Sequence, residues 1–155
     1  MADETNADDT TTGEGVDLGF THIALVCTDA NKTIDFYTRF GGMKLIHDRT
    51  DAGTRVFWLS DLKRPFAIVF LEASKPEAPL GPFGHLGVCV ESRERVDELV
   101  ALASAEGRPV QGPTDTGPPV GYWAFILDPD GHTLEVSYGQ SIELAVAEIR
   151  GPQSS

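Results

Sequence analysis

The chain has 155 residues, 41% of them hydrophobic and 23% charged, with a formal net charge of −12. That length supports one domain with its own core, or two small fused repeats, and the composition is that of an ordinary globular protein. An acidic chain without a clustered basic footprint is a poor match for nucleic acid. No apolar run is long enough to span a bilayer, so no membrane partner is expected either.

Residues 1–17 carry six acidic side chains and no Lys or Arg. So polar a segment cannot bury enough surface to offset its ordering entropy, and a disordered acidic tail is expected. It lacks a basic stretch followed by an apolar one, so no secretory signal is expected. Cys27 and Cys89 both lie in apolar strand patterns and are expected to be buried free thiols of a cytoplasmic protein.

Phe20–Cys27 reads as a strand with Phe20, His22, Ala24 and Val26 on one face. Thr28 or Asp29 then caps a helix to about Phe40, which Gly41-Gly42 stops. Lys44–Arg49 and Thr54–Leu59 read as a hairpin turning at residues 50–53. Asp61–Pro65 is a polar turn, and Phe66–Ala73 is a strand with Ile68, Phe70 and Glu72 on one face. Residues 75–82 hold three prolines and a glycine and read as a linker.

The second half repeats this order. Phe83–Val90 is a strand with His85, Gly87 and Cys89 on one face. Ser92–Glu106 is a helix stopped by Gly107. Arg108–Gln111 is a short strand, Gly112–Val120 a Pro/Gly-rich loop, and Gly121–Leu127 an aromatic strand. Asp128-Pro129-Asp130-Gly131 is a turn, and Thr133–Tyr138 is the last strand. Residues 141–149 read as a short terminal helix. The expected organisation is therefore a tail (1–17), a domain (18–139) of two modules (18–74 and 83–139) joined by the linker 75–82, and a C-terminal helix and tail (140–155).

The strongest pattern is a repeat. His22 and Glu72 stand fifty positions apart, as do His85 and Glu135, and both members shift by the same sixty-three residues between halves. Each half thus offers one imidazole and one carboxylate on apolar strands. If the two β-α-β-β-β units meet edge to edge, all four converge. Two imidazoles and two carboxylates suit Zn²⁺, Ni²⁺, Co²⁺ or Mn²⁺, with iron ranked behind them, and leave coordination positions for a substrate. Burying two carboxylates on one face without a cation would be very costly.

Three stretches carry a family resemblance: His22 in the first strand; Asp35-Phe36-Tyr37 leading to Gly41-Gly42-Met43-Lys44-Leu45; and Asp128-Pro129-Asp130-Gly131-His132-Thr133-Leu134-Glu135-Val136. Over about residues 18–139 the chain resembles the vicinal oxygen chelate superfamily, and glyoxalase I most of all. The superfamily also contains methylmalonyl-CoA epimerase, fosfomycin-modifying enzymes, extradiol dioxygenases and bleomycin-binding proteins. The resemblance implies an α+β fold of two βαβββ modules, an incomplete barrel around a metal-binding cleft. It further implies a small-molecule substrate and a homodimer, with each site formed within one chain or across two.

By the same resemblance His22, Glu72, His85 and Glu135 match the metal ligands of glyoxalase I. Glu135 would act as catalytic base, with Glu72 second. Val26 stands where glyoxalase I has an arginine for the glutathione carboxylate, which puts glutathione itself in question. The implied activity is that of a lyase or isomerase working through an enediolate on an α-oxo hemithioacetal. The alternatives are an acyl-CoA epimerase, a metal-free bleomycin-type resistance protein, an Fe²⁺ dioxygenase, or thiol transfer to an antibiotic. An intact four-ligand set would speak against the last three, because a binder needs no converging carboxylates and the other two chemistries use three protein ligands.

Val26, Phe57, Phe70, Trp123 and Phe125, with Trp58 and Tyr122, are candidate pocket residues, although strand aromatics more often serve the core. His132 is expected at the surface, Arg39 in a surface role near a helix end, and His47 in a strand without an assigned role.

Overall fold

The computed structural model describes residues 20–75, 79–81, 83–142 and 145. The first module runs β1 (His22–Cys27), α1 (Ala30–Gly41), β2 (Lys44–Asp51), β3 (Thr54–Ser60) and β4 (Ala67–Glu72). The second runs β5 (His85–Cys89), α2 (Arg93–Ala105), β6 (Val110–Gly117), β7 (Gly121–Leu127) and β8 (Thr133–Tyr138). Each module forms one four-stranded mixed sheet, in the order β1-β4-β3-β2 and β5-β8-β7-β6. The fold is α+β, as the repeat predicts, with no closed barrel among the described residues. The acidic tail and most of the expected terminal helix lie outside those residues.

The helices form where capping chemistry allows. Asp29 caps α1 by accepting from the Lys32 amide at 3.0 Å, and Gly42 ends it in the left-handed conformation at φ 64°. Ser92 caps α2 in the same way, accepting from the Arg95 amide at 3.1 Å.

Each helix covers one face of its own sheet. Ile23, Leu25 and Cys27 of β1, Ile68 and Phe70 of β4, and Phe57 and Leu59 of β3 pack with Phe36, Tyr37 and Phe40. Phe57 stacks on Phe70 at 5.3 Å. In the second module Leu134 and Val136, with Ala124 and Ile126, pack against Val96, Leu99 and Ala103. The opposite face of each sheet carries no helix. The strands β1 and β5 are free sheet edges, and Phe20 and Phe83, each two residues before a histidine, are exposed.

The expectations for the stretch after Gln111 and for Cys89 need correction. The Pro/Gly-rich stretch after Gln111 is not a loop, because β6 continues to Gly117. It pairs with β7 through register shifts between Gln111 and Thr114 and between Asp115 and Gly117. Bulges at a sheet edge accommodate Gly112-Pro113 there, since an edge strand need not donate from every residue. Cys89 is exposed rather than buried, while Cys27 is buried, and both thiols are free.

The modules are clamped where α1 meets the turn before β8. Tyr37 donates to Asp128 Oδ2 at 3.2 Å, and the Thr28 amide donates to Asp130 Oδ2 at 3.1 Å. Arg108 lies over the rings of Phe36 and Phe40. His132, expected at the surface, is 1% exposed. Its Nδ1 accepts from the Leu80 amide at 2.7 Å, so its Nε2 carries the proton and donates to the Val26 carbonyl at 2.9 Å. Burial raises the carboxyl of Asp128 above the usual range and pushes the Tyr37 hydroxyl up strongly.

Candidate functional site

The second sheet brings two of the four expected site residues, His85 and Glu135, together. Along its open face β5 presents His85, Gly87 and Cys89, and β8 presents Thr133, Glu135 and Ser137, in the register His85↔Thr133 and Gly87↔Glu135. Glu135 is therefore two rows along from His85 and on the same side. His85 Nε2 and Glu135 Oε2 stand 3.3 Å apart.

Each group is held from behind. His85 Nδ1 lies 2.6 Å from the Phe83 carbonyl, which can only accept, so Nδ1 carries a proton. Gln140 donates to Glu135 Oε1. Two groups with lone pairs then face each other across a short gap, which asks for a proton or a cation between them. A histidine whose outer N–H is fixed by a carbonyl, beside a carboxylate fixed through its other oxygen, is the supporting shell that metal ligands use. This pair fits a divalent cation. The Phe83 carbonyl and Gln140 carry no sequence signal: one acts through its backbone, and the other follows the strand as an ordinary polar residue.

The aromatic walls divide. Phe125 pairs with Glu135 and Trp123 with Ser137, so both share the open face with the half-site. The Phe125 ring lies 4.9 Å from that of His85 and 4.8 Å from that of Trp123. Trp123 Nε1 donates to Thr116 at 2.9 Å. Tyr122 instead turns to the helix side and donates to Asp97 at 2.7 Å.

The first sheet departs from the expectation. β1 and β4 run parallel, with His22 opposite Ala67, Val26 opposite Leu71 and Cys27 opposite Glu72. Partners in register point to the same side. His22, Ala24 and Val26 therefore face outward with Ala67, Val69 and Leu71, while Glu72 shares the helix side with Cys27. Its Oε1 accepts from the Ala30 amide at 2.8 Å, at the first turn of α1. Glu72 thus supports a helix N-terminus, where a carboxylate meets unpaired N–H groups and a favourable dipole. The expected convergence of His22 with Glu72 does not occur.

Phe57 and Phe70, two of the expected pocket residues, are fully buried beneath α1 and belong to the core. His22 is exposed on the free edge, with Thr21 Oγ1 3.0 Å from its Nδ1. Arg39 pairs with Asp35 at 2.7 Å and also with Glu106, tying α1 to the end of α2. Among the described residues no three His, Cys, Asp or Glu side chains gather at one point.

Residues 19–136 match the sequence model of the Glyoxalase/Bleomycin resistance protein/Dioxygenase superfamily. An uncharacterized protein of Pseudomonas aeruginosa is 35% identical over 125 residues, which are 79% of this chain and 89% of that protein. A probable chloroplastic lactoylglutathione lyase of Arabidopsis thaliana is 30% identical over 122 residues, covering 74% of this chain and 34% of that larger protein. Among solved structures, the fosfomycin resistance protein FosX of Listeria monocytogenes, crystallised with Mn(II) and 1S,2S-dihydroxypropylphosphonic acid, superposes with a TM-score of 0.64 at 22% identity. The match covers 83% of this chain and 98% of that one, a likeness of fold.

Proposed function

This chain belongs to the Glyoxalase/Bleomycin resistance protein/Dioxygenase superfamily, and from that premise we propose that it is a divalent-metal-dependent, glyoxalase-like lyase or isomerase. Its substrate is a small α-oxo compound offering two neighbouring oxygens, and its setting is cytoplasmic. The observation that carries the reading is the His85–Glu135 pair at 3.3 Å on an open sheet face, with both groups oriented from behind. The probable lactoylglutathione lyase relative supports the choice of chemistry.

The third ligand is His22, supplied by a second copy of the chain. His22 lies on the open face at one free edge, and His85 with Glu135 lies on the open face next to the other. A twofold pair places each edge beside the other's counterpart and completes two equivalent sites, which is the self-complementary arrangement a symmetric dimer uses. The exposed Phe20 and Phe83 flank both histidines and give such an interface its apolar contacts.

His85, Glu135 and His22 would hold a cation of the Zn²⁺, Ni²⁺, Co²⁺ or Mn²⁺ kind, which would supply Lewis-acid stabilisation to negative charge developing on the substrate oxygens. Glu135 is the carboxylate on the reacting face. It takes the proton from the carbon beside the carbonyl and returns it to the neighbouring carbon. Gln140 fixes which oxygen of Glu135 faces the substrate, while Phe125 and Trp123 wall off water. Glu72 has no part in this step, being on the far face of its sheet.

One observation favours a second reading. With Glu72 elsewhere, the chain's set is two imidazoles and one carboxylate, which leaves more open positions and also suits Fe²⁺ oxygen chemistry or addition to an antibiotic. Elemental analysis of protein purified without chelator or tag metals tests the first reading. One equivalent of Ni, Zn, Co or Mn, with isomerisation of hemithioacetals abolished in Glu135→Gln, supports it. Iron with oxygen uptake moves the second reading forward, and no uptake of any divalent ion overturns both.

A further inference from the structure

The open face of the first sheet carries a cluster with no place in the metal site. The cross-strand rows run Ala24, Val69, Trp58, His47 and then Val26, Leu71, Val56, Arg49. His47 and Arg49 thus lie on the same side as His22, at the opposite edge of the sheet. The His47 ring packs on the Trp58 indole at 4.6 Å. Arg49 Nη1 lies 3.1 Å from His47 Nε2, so the guanidinium donates and the imidazole accepts. Arg49 Nε also donates to Asp51 at 2.5 Å. The second terminal nitrogen, Nη2, has no partner among the described residues.

We infer that Arg49, with His47 packed on Trp58 beside it, forms an anion-binding subsite for the tail of an elongated substrate. The inference rests on the proposed metal-site reading for the location of the reacting end. Three inter-strand steps of about 4.8 Å put β2 roughly 14 Å from β1. A three-carbon α-oxo compound cannot touch both edges. A conjugate with its chelating group near His22 and an anionic group at its far end can, and its body would cross the apolar floor of Ala24, Val69 and Trp58.

The cluster suits such an anion for two reasons. A guanidinium forks onto carboxylate or phosphate oxygens. The exposed Arg49–Asp51 pair is worth little and exchanges easily for a ligand. Carboxylate and phosphate tails share this chemistry, and the test separates them.

Full-length protein, wild type and Arg49→Gln, is titrated calorimetrically with coenzyme A (phosphate tail), S-methylglutathione (carboxylate tail) and pantetheine (no anion), and metal content is measured in parallel. The expected result is that one anionic probe binds wild type and binds Arg49→Gln about ten- to a hundredfold more weakly, with bound metal unchanged. His47→Gln gives a smaller loss in the same direction, and whichever probe binds names the tail. The subsite is overturned if neither anionic probe binds wild type, if pantetheine binds as well as they do, or if Arg49→Gln binds equally well. A metal-free protein that still shows the Arg49-dependent binding overturns the metal reading and leaves the subsite standing.

Discussion

His85 Nε2 and Glu135 Oε2 lie 3.3 Å apart, while His22 and Glu72, at the same sequence spacing, lie on opposite faces of their sheet. The two pairs therefore respond differently to substitution. His85→Ala, Glu135→Gln and His22→Ala each reduce bound metal to background by elemental analysis. Glu72→Gln leaves the metal in place. Loss of metal in Glu72→Gln at a temperature where the variant is folded would show that the first sheet rearranges around the ion.

Glu72 has a measurable role of another kind. Its carboxylate accepts from the Ala30 amide at the start of α1. Replacing it with alanine removes a charged acceptor from a helix N-terminus, at a cost of about 1 kcal/mol. The thermal midpoint falls by a few degrees with catalytic constants unchanged at permissive temperature.

The proposed sharing of the site between copies predicts complementation. Heterodimers of His22→Ala and His85→Ala chains contain one site with both defects and one with none. Mixing the two inactive variants under subunit exchange should restore about a quarter of the wild-type metal content. No recovery, with exchange verified by mass spectrometry, would place all ligands within one chain.

His132 is a clamp between the linker, the first module and the turn before β8. Alanine there leaves the Leu80 amide and the Val26 carbonyl without partners in a buried setting, at a cost of about 2–4 kcal/mol. Chemical denaturation should show that loss, and hydrogen exchange should show Leu80 and β1 opening together.

The two thiols separate chemically. Cys27 is fully buried, and burial pushes its thiol up to about 11, whereas Cys89 is exposed. Native protein should consume one equivalent of a thiol reagent at pH 8, and unfolded protein two. The linkage has a definite sign. The folded state holds the Cys27 proton more tightly than the unfolded chain, whose value is near 9.0, so the contribution to stability is complete below pH 9 and declines as pH rises toward 11. Denaturant midpoints measured from pH 8 to 11 should fall, and should fall less in Cys27→Ala.

The sequence repeat makes both βαβββ units and the shared face of His85 and Glu135 legible, because strand order, helix caps and the Asp128–Gly131 turn are local signals. The face taken by Glu72 is hidden by register. Period two assigns faces within a strand but says nothing about how two strands align. Opposite His85 stands Thr133, forty-eight positions on, whereas opposite His22 stands Ala67, only forty-five positions on. The fifty-residue spacing therefore puts Glu135 two rows beyond its histidine, on the same face. It puts Glu72 five rows beyond, on the other, and an odd shift flips every side chain. His132 lies deeper than its glycine turn suggests for a related reason: the first module packs on it through the Val26 carbonyl.

The hairpin between β2 and β3 turns at Ala52-Gly53, both in the left-handed region at φ 48° and 85°, and the ladder beyond is broken only by the irregularity between Leu45 and His47. That turn sets the phase of the whole edge strand. One residue more in it would bring Asp48 and Thr50 to the helix-free side and withdraw His47 and Arg49, while Ile46 offers slack to keep Leu45 against Leu59. The wall of this sheet therefore has two chemical settings, one cationic and one acidic, selectable by loop length with no change to the strand. A single glycine inserted after Ala52 should switch off Arg49-dependent anion binding while leaving metal content intact.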